Sequence, residues 1–96
     1  MIASFGDRRT ADIFHGRKSK QARRVPADIV NVVLRKLDMI QAAKRLEDLR
    51  SPPSNRLEAL RRDLKGFHSI RVNDQWRIIF RWQAGEAFDV QIIDYH

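Results

Sequence analysis

Residues 67–96 read FHSIRVNDQWRIIFRWQAGEAFDVQIIDYH, and this stretch divides into three strands without help from the rest of the chain. HSIRVN comes first. A short turn around Asn73 and Asp74 leads to QWRIIFRWQ, and Ala84, Gly85 and Glu86 turn the chain into AFDVQIID. Each run is rich in β-branched and aromatic residues and is bounded by turn formers, which predicts an antiparallel meander. Alternation then assigns the faces. Ile70 and Val72 share one side of the first strand. Trp76, Ile78, Phe80 and Trp82 share one side of the second, and Phe88, Val90 and Ile92 one side of the third. The opposite side carries Ser69, Arg71 and Asn73, then Arg77 and Arg81, then Gln91 and Tyr95. One face of the sheet must be covered, and the other is left to work.

The cover comes from upstream. Pro26 suits a first helical position, and Ile29, Val30, Val33, Leu34, Leu37 and Ile40 then recur at helical spacing. Arg35, Lys36, Asp38 and Gln41 fall largely on the other side. Asp7 is a fitting N-cap for a shorter helix through Thr10, Ala11, Ile13 and Phe14, and Gly16 stops it. Met1 to Phe5 is expected to form a strand, and residues 44–49 a short helical piece that Ser51-Pro52-Pro53-Ser54 ends. Arg56 to Leu60 reads as a further strand. The order, strand then helices then strands, predicts an α+β fold. Its N-terminal strand and helices pack on one face of a mostly antiparallel, C-terminally meandering sheet.

Ninety-six residues give one expected domain, 1–96. Nineteen Lys and Arg against twelve Asp and Glu leave a net charge of +7. Such a domain suits an acidic partner, with nucleic acid first among them. There is no cysteine, so disulfides and thiolate metal sites are excluded, and His15, His68 and His96 are too scattered to suggest a metal cluster. No metal or cofactor is expected. No signal-peptide or membrane-spanning pattern occurs, so a cytoplasmic protein without a membrane partner is expected.

The chemistry gathers on the open face. Arg61, Arg71, Arg77 and Arg81 can lie around it, with Asp94, Tyr95 and His96 at its edge. Arginine forks suit phosphate and would stabilise the extra charge of a pentacoordinate transition state. Histidine suits proton transfer near neutral pH. A 2′-hydroxyl nucleophile would restrict such a route to RNA. The basic run Arg17, Lys18, Lys20, Arg23 and Arg24 suits either a solvated loop or an arm that touches phosphates. A terminal histidine and arginines at period two are also what an inert basic domain shows. Composition and spacing alone therefore rank general nucleic-acid or acidic-protein binding ahead of RNA cleavage.

RLEALRRD, followed by GFHSIRVNDQWRIIFRW and DVQIIDYH, resembles the HigB branch of the RelE/ParE toxin superfamily. The likeness is close from Leu46 to His96 and extends by pattern to the N-terminal half. It implies a RelE-like toxin of a type II toxin–antitoxin system, one that enters the ribosomal A site and cuts mRNA. It also implies a HigA-type helix-turn-helix antitoxin that neutralises the toxin and carries the complex to operator DNA. By motif, Arg77 matches the family's phosphate-contacting arginine, and Asp94, Tyr95 and His96 match its terminal catalytic DYH. Where the family commonly reads Leu-Lys-Gly-Asp-Arg, this chain has Leu60-Arg61-Arg62-Asp63-Leu64. Arg61 keeps the charge of a catalytic lysine, and Leu64 removes one phosphate contact. Arg71, Asn73, Arg81 and the 17–24 cations are the expected RNA-binding set. Two other outcomes are a ParE-like gyrase poison and a non-catalytic basic RNA- or protein-binding domain.

Overall fold

The structure, a computed structural model, describes residues 1–95. Strand β3 (Trp76–Gln83) pairs antiparallel with β2 (His68–Arg71) on one side and β4 (Glu86–Asp94) on the other. The short β1 (Glu58–Ala59) adds to the outer edge of β2, so the sheet runs β1–β2–β3–β4. Helices α1 (Arg8–Phe14) and α2 (Val30–Ala42) cover one face. Ile13, Val33, Leu37 and Ile40 pack there against Ile70, Ile78, Phe80, Val90 and Ile92. Each such burial is worth roughly 1.5–3 kcal/mol, so this layer contact holds the fold. The α+β architecture is the one expected.

Local chemistry explains the boundaries. Asp7 caps α1 by accepting from the Thr10 N–H at 2.8 Å, and Gly16 at φ 70° closes it. Pro26 lies one turn ahead of α2. It is extended (ψ 132°) and leads into a 3₁₀ turn, Ala27–Ile29, from which α2 continues. The helical piece expected over 44–49 is a 3₁₀ turn, Leu46–Arg50. A real break separates it from α2. Ala43 and Arg45 are extended, and the Asp48 carboxylate accepts from the Lys44 and Arg45 N–H groups, both at 3.0 Å. Those two backbone hydrogen bonds hold the Asp48 pKa below the usual carboxylate value.

Three expectations are corrected. Met1 to Phe5 does not form a regular strand. It runs parallel to β4 and touches it through isolated bridges, Ile2 to Ala87 and Phe5 to Val90. The strand expected from Arg56 to Leu60 shrinks to two residues, because Arg56 turns left-handed at φ 46°. Phe88 leaves the core face. Between the pairs Ile79–Gln91 and Arg81–Phe88, β3 supplies Phe80 alone while β4 supplies Asp89 and Val90. This is a β-bulge, with Asp89 at φ 54° and its N–H donated to the Ser4 hydroxyl at 2.9 Å. One extra residue reverses the parity. Ala87, fully buried opposite Trp82, takes the core position, and Phe88 joins the side of Arg81.

The β3–β4 hairpin closes on two residues, Ala84 at φ 52° and Gly85 at φ 79°. Both positions are left-handed, as a type I′ turn requires, and alanine is poorly suited to its place. Ala84→Asn is expected to stabilise the fold by roughly 0.5–1 kcal/mol. A thermal melt would then show a Tm higher by roughly 2–8 °C.

Candidate functional site

Strand alternation turns Ser69 and Arg71 of β2, and Arg77, Ile79 and Arg81 of β3, away from the helices. Register sets Arg71 directly opposite Arg77. Like charges so placed repel, and each receives its own acid. Arg77 donates from Nη1 to Glu58 Oε1 at 2.9 Å, and Arg71 pairs with Asp74 across the hairpin turn. Arg81 Nε lies 3.4 Å from Asp89 Oδ2, and its guanidinium stacks 4.3 Å from the Phe67 ring centroid. Gly66 leaves the room for that stack, since a Cβ there would sit 3.0 Å from Arg81. Ile79, 2% exposed although it lies outside the main core, gives this face an apolar floor.

Arg77 is the most constrained of the three. Its side chain is 16% exposed. Nη1 also lies 3.4 Å from the hydroxyl of the fully buried Ser69, and the guanidinium carbon sits 5.0 Å from the Tyr95 ring centroid. Glu58 and Tyr95, which flank it, also line a cavity of about 500 Å³ together with Leu60, Arg61 and Arg62. The β1–β2 register places Glu58 beside Ser69, which is why its carboxylate reaches Arg77. A cavity lined by a phenol and two cations, Arg61 and Arg62, with an oriented guanidinium next to its lining residues Glu58 and Tyr95, forms a site suited to a phosphate.

The other expected residues are dispersed. Asp94 is the last residue of β4, paired with Trp76, and its carboxylate accepts from Gln75 Nε2 at 3.1 Å. Alternation turns it from the face that Tyr95 uses. Asn73 Oδ1 accepts from the N–H groups of Gln75 and Trp76 at 2.8 and 2.7 Å, so it builds the β2–β3 turn. His96 lies outside the described residues. His68 stands 6.0 Å from the Phe80 ring, and burial pushes its pKa down.

Arg17, Lys18, Lys20, Arg23 and Arg24 are not brought to Arg77. Their loop folds against α1 and α2, the layer on the opposite face of the sheet. Asp12, buried on α1, anchors it: the Ser19 hydroxyl donates to Oδ2 at 2.5 Å, and Arg17 Nη1 lies 3.5 Å from Oδ1. The Ser19 hydrogen bond, opposed by burial and aided by Arg17, holds the Asp12 pKa below the usual carboxylate value. Arg17, Lys18 and Arg23 rim a groove of about 600 Å³ floored by Ile13, Val25 and Leu34. Among the described residues, no group of three His, Asp or Glu side chains could hold a metal ion, and no helix is long and apolar enough to cross a membrane.

A family model described as the RelE-like toxin of type II toxin–antitoxin system HigB matches residues 4–96. The chain belongs to the HigB-like toxin family. Toxin HigB-1 of Vibrio cholerae is 47% identical over 73 residues, covering 76% of this chain and 77% of that one. Endoribonuclease HigB of Proteus vulgaris is 33% identical over 72 residues, covering 75% of this chain and 77% of that one. A chain of the YoeB–YefM complex from Staphylococcus aureus superposes with a TM-score of 0.61 at 14% identity, covering all of this chain and 98% of that chain. A YoeB/ParE toxin from Agrobacterium tumefaciens gives 0.50 at 18% identity, with 100% and 99% coverage. At such identities these two likenesses speak for the RelE-like toxin fold alone.

In this HigB-like toxin the sequence reading passed over Glu58, Ser69 and Arg62. Strand β1 is two residues long, too short for alternation to assign Glu58 a face. Its only sequence signal is its place inside RLEALRRD. Ser69 shares parity with Arg71, but nothing in the sequence marks it as buried beneath Arg77. Arg62 sits at φ 58°, in a conformation the sequence does not advertise.

Proposed function

We propose that this HigB-like toxin is a ribosome-dependent mRNA endonuclease. The observation that carries this reading is Arg77, held between Glu58 and Tyr95, two residues that line a cavity together with Arg61. A scissile phosphate there would compete with Glu58 for the guanidinium. The 2′-oxygen attacks phosphorus as the bond to the 5′-oxygen breaks, leaving a 2′,3′-cyclic phosphate and a 5′-hydroxyl. Arg77 and Arg61 stabilise the added phosphoryl charge without a metal. The Glu58 carboxylate, displaced from Arg77, can accept the 2′-proton. In this reading Tyr95 or His96 protonates the leaving oxygen, and Asp94, which faces the other way, acts through Gln75, whose side chain it holds and whose carbonyl accepts from the Tyr95 N–H at 2.7 Å.

The name of the Proteus vulgaris relative, Endoribonuclease HigB, supports RNA as substrate. Membership of a toxin–antitoxin family, together with the YoeB–YefM complex as a structural neighbour, supports an antitoxin partner. A HigA-type antitoxin that brings the complex to operator DNA, and action in the cytoplasm at the ribosomal A site, complete the proposal.

The test is to express the chain and its His96→Ala variant in bacteria and to map mRNA 5′ ends. New 5′-hydroxyl ends inside translated codons, lost in the variant, are expected. Growth arrest with DNA damage and no new ends would point to a gyrase poison instead. Neither arrest nor new ends would leave a non-catalytic binding domain.

A further inference from the structure

Beside the Arg77 site, at the end of the sheet where β2 finishes, the outward side of α2 meets the strand. Arg35 and Lys36 of α2, Arg71 of β2 and Ser54 of the preceding turn surround a cavity of about 260 Å³, with Val32 and Met39 on its apolar wall. The Lys36 ammonium is aimed, not loose. It donates to Asn55 Oδ1, and Asn55 is fully buried. The Asn55 amide donates to the carbonyls of Leu49 at 3.1 Å and Ser51 at 3.4 Å, which fixes its oxygen toward Lys36. A neutral amide orients the charge but does not cancel it. Among the described residues, Arg35 and Lys36 have no carboxylate partner. The acid paired with Arg71 is Asp74, whose side chain is 99% exposed, so water and salt weaken that pair.

Three cations gathered around a partly enclosed space repel one another unless an anion enters. Burial first, then the charges of Arg35 and Arg71, hold the Lys36 pKa below the ordinary lysine value. The position says which anion fits. Arg71 is the cross-strand partner of Arg77, so an anion in this cavity lies next to the phosphate that Arg77 would hold. A chain carrying a phosphate at every residue offers an anion to each of two neighbouring sites.

We propose that Arg35, Lys36 and Arg71, with the Ser54 hydroxyl, form a second phosphate-binding subsite that grips the RNA backbone beside the scissile phosphate. It rests on the RNA-cutting function proposed above and extends it to substrate residues flanking the cut. The subsite supplies grip and not sequence choice, since phosphate contacts carry no base information.

Binding is measured to ribosomes programmed with mRNA that carries one 2′-deoxy residue to prevent cleavage and is lengthened one nucleotide at a time past the cut. The wild-type chain is expected to gain affinity in one step when a particular flanking phosphate is added. Arg35→Gln with Lys36→Gln removes that step and weakens binding roughly tenfold. It also makes the salt dependence shallower by about one unit of log–log slope per lost contact. Arg35→Gln alone removes an exposed side chain and shows a smaller loss in the same step if the double variant folds poorly. Arg8→Gln with Lys44→Gln makes the same charge change away from the cavity and keeps the step. A step that survives in the Arg35 and Lys36 variants, with binding still lost in Arg77→Ala, overturns the subsite and leaves RNA as substrate. No binding of the wild-type chain to the mRNA-programmed ribosomes overturns both.

Discussion

Cleavage by an Arg77→Ala toxin is expected to fall by roughly 10²–10³-fold while the fold survives, the usual cost of removing one donor aimed at developing charge. The two halves of that expectation have separate causes. Arg77 is oriented by Glu58, Ser69 and Tyr95 before substrate arrives, and once the phosphate has displaced Glu58, Ser69 and Tyr95 still hold the fork through the transition state. Its contribution to stability is small, because Glu58 is half exposed and such a pair is worth under about 1 kcal/mol. Arg77→Lys sharpens the test. Lysine keeps the charge but has no planar fork to span Glu58 and Ser69, and it stacks less well on Tyr95. It should recover only part of the loss. The measurement is single-turnover cleavage of ribosome-bound mRNA alongside a thermal melt of each variant. Wild-type rates in Arg77→Ala, with an unchanged melt, would exclude catalysis at this face.

What the sequence disclosed depends on how each feature is encoded. Trp76, Ile78, Phe80 and Trp82 declared the core face of β3 because no irregularity interrupts that strand, and side-chain period is then a sufficient guide. The same rule misplaced Phe88. A bulge is a backbone event, and Asp89 tolerates a left-handed φ without demanding one. Lys36 and Arg35 looked like the solvated side of an amphipathic helix. Their contact with Arg71 depends on where β2 ends against α2, a tertiary fact with no local marker. The 17–24 cations were visible as a charge run, but charge does not reveal layer. Asp12 and Ser19, 7 residues apart, settle that by fastening the loop to α1. Strand order already put Tyr95 at the edge of the face that carries Arg77, and the resemblance of QWRI and DYH to a known family added that the two work together. Periodicity could put both on one face and could not say that they touch.

Phe80→Ala should be the most damaging single truncation in the core, costing roughly 3–5 kcal/mol. Phe80 is fully buried, and its ring lies between His68 at 6.0 Å and Trp82 at 6.4 Å. It also stands opposite the β4 bulge, where Asp89 and Val90 face it. Neighbours held by that irregular backbone cannot close easily over a lost ring, so the cavity term is expected near its upper range. Domains of this size have about 5–15 kcal/mol in all, and the variant should approach the edge of folding, with a urea midpoint lowered by a third or more. The chemistry has a different dependence. Phe80 points to the helices, whereas Arg77 and Ile79 point the other way along the same strand. Cleavage per folded molecule should therefore stay near the wild-type rate even as the folded fraction drops. Urea unfolding combined with single-turnover rates, normalised to the folded fraction, checks both statements. A normalised rate that falls in step with stability would mean that the core layer sets the geometry of the arginine face, and that the two faces of β3 are not separable.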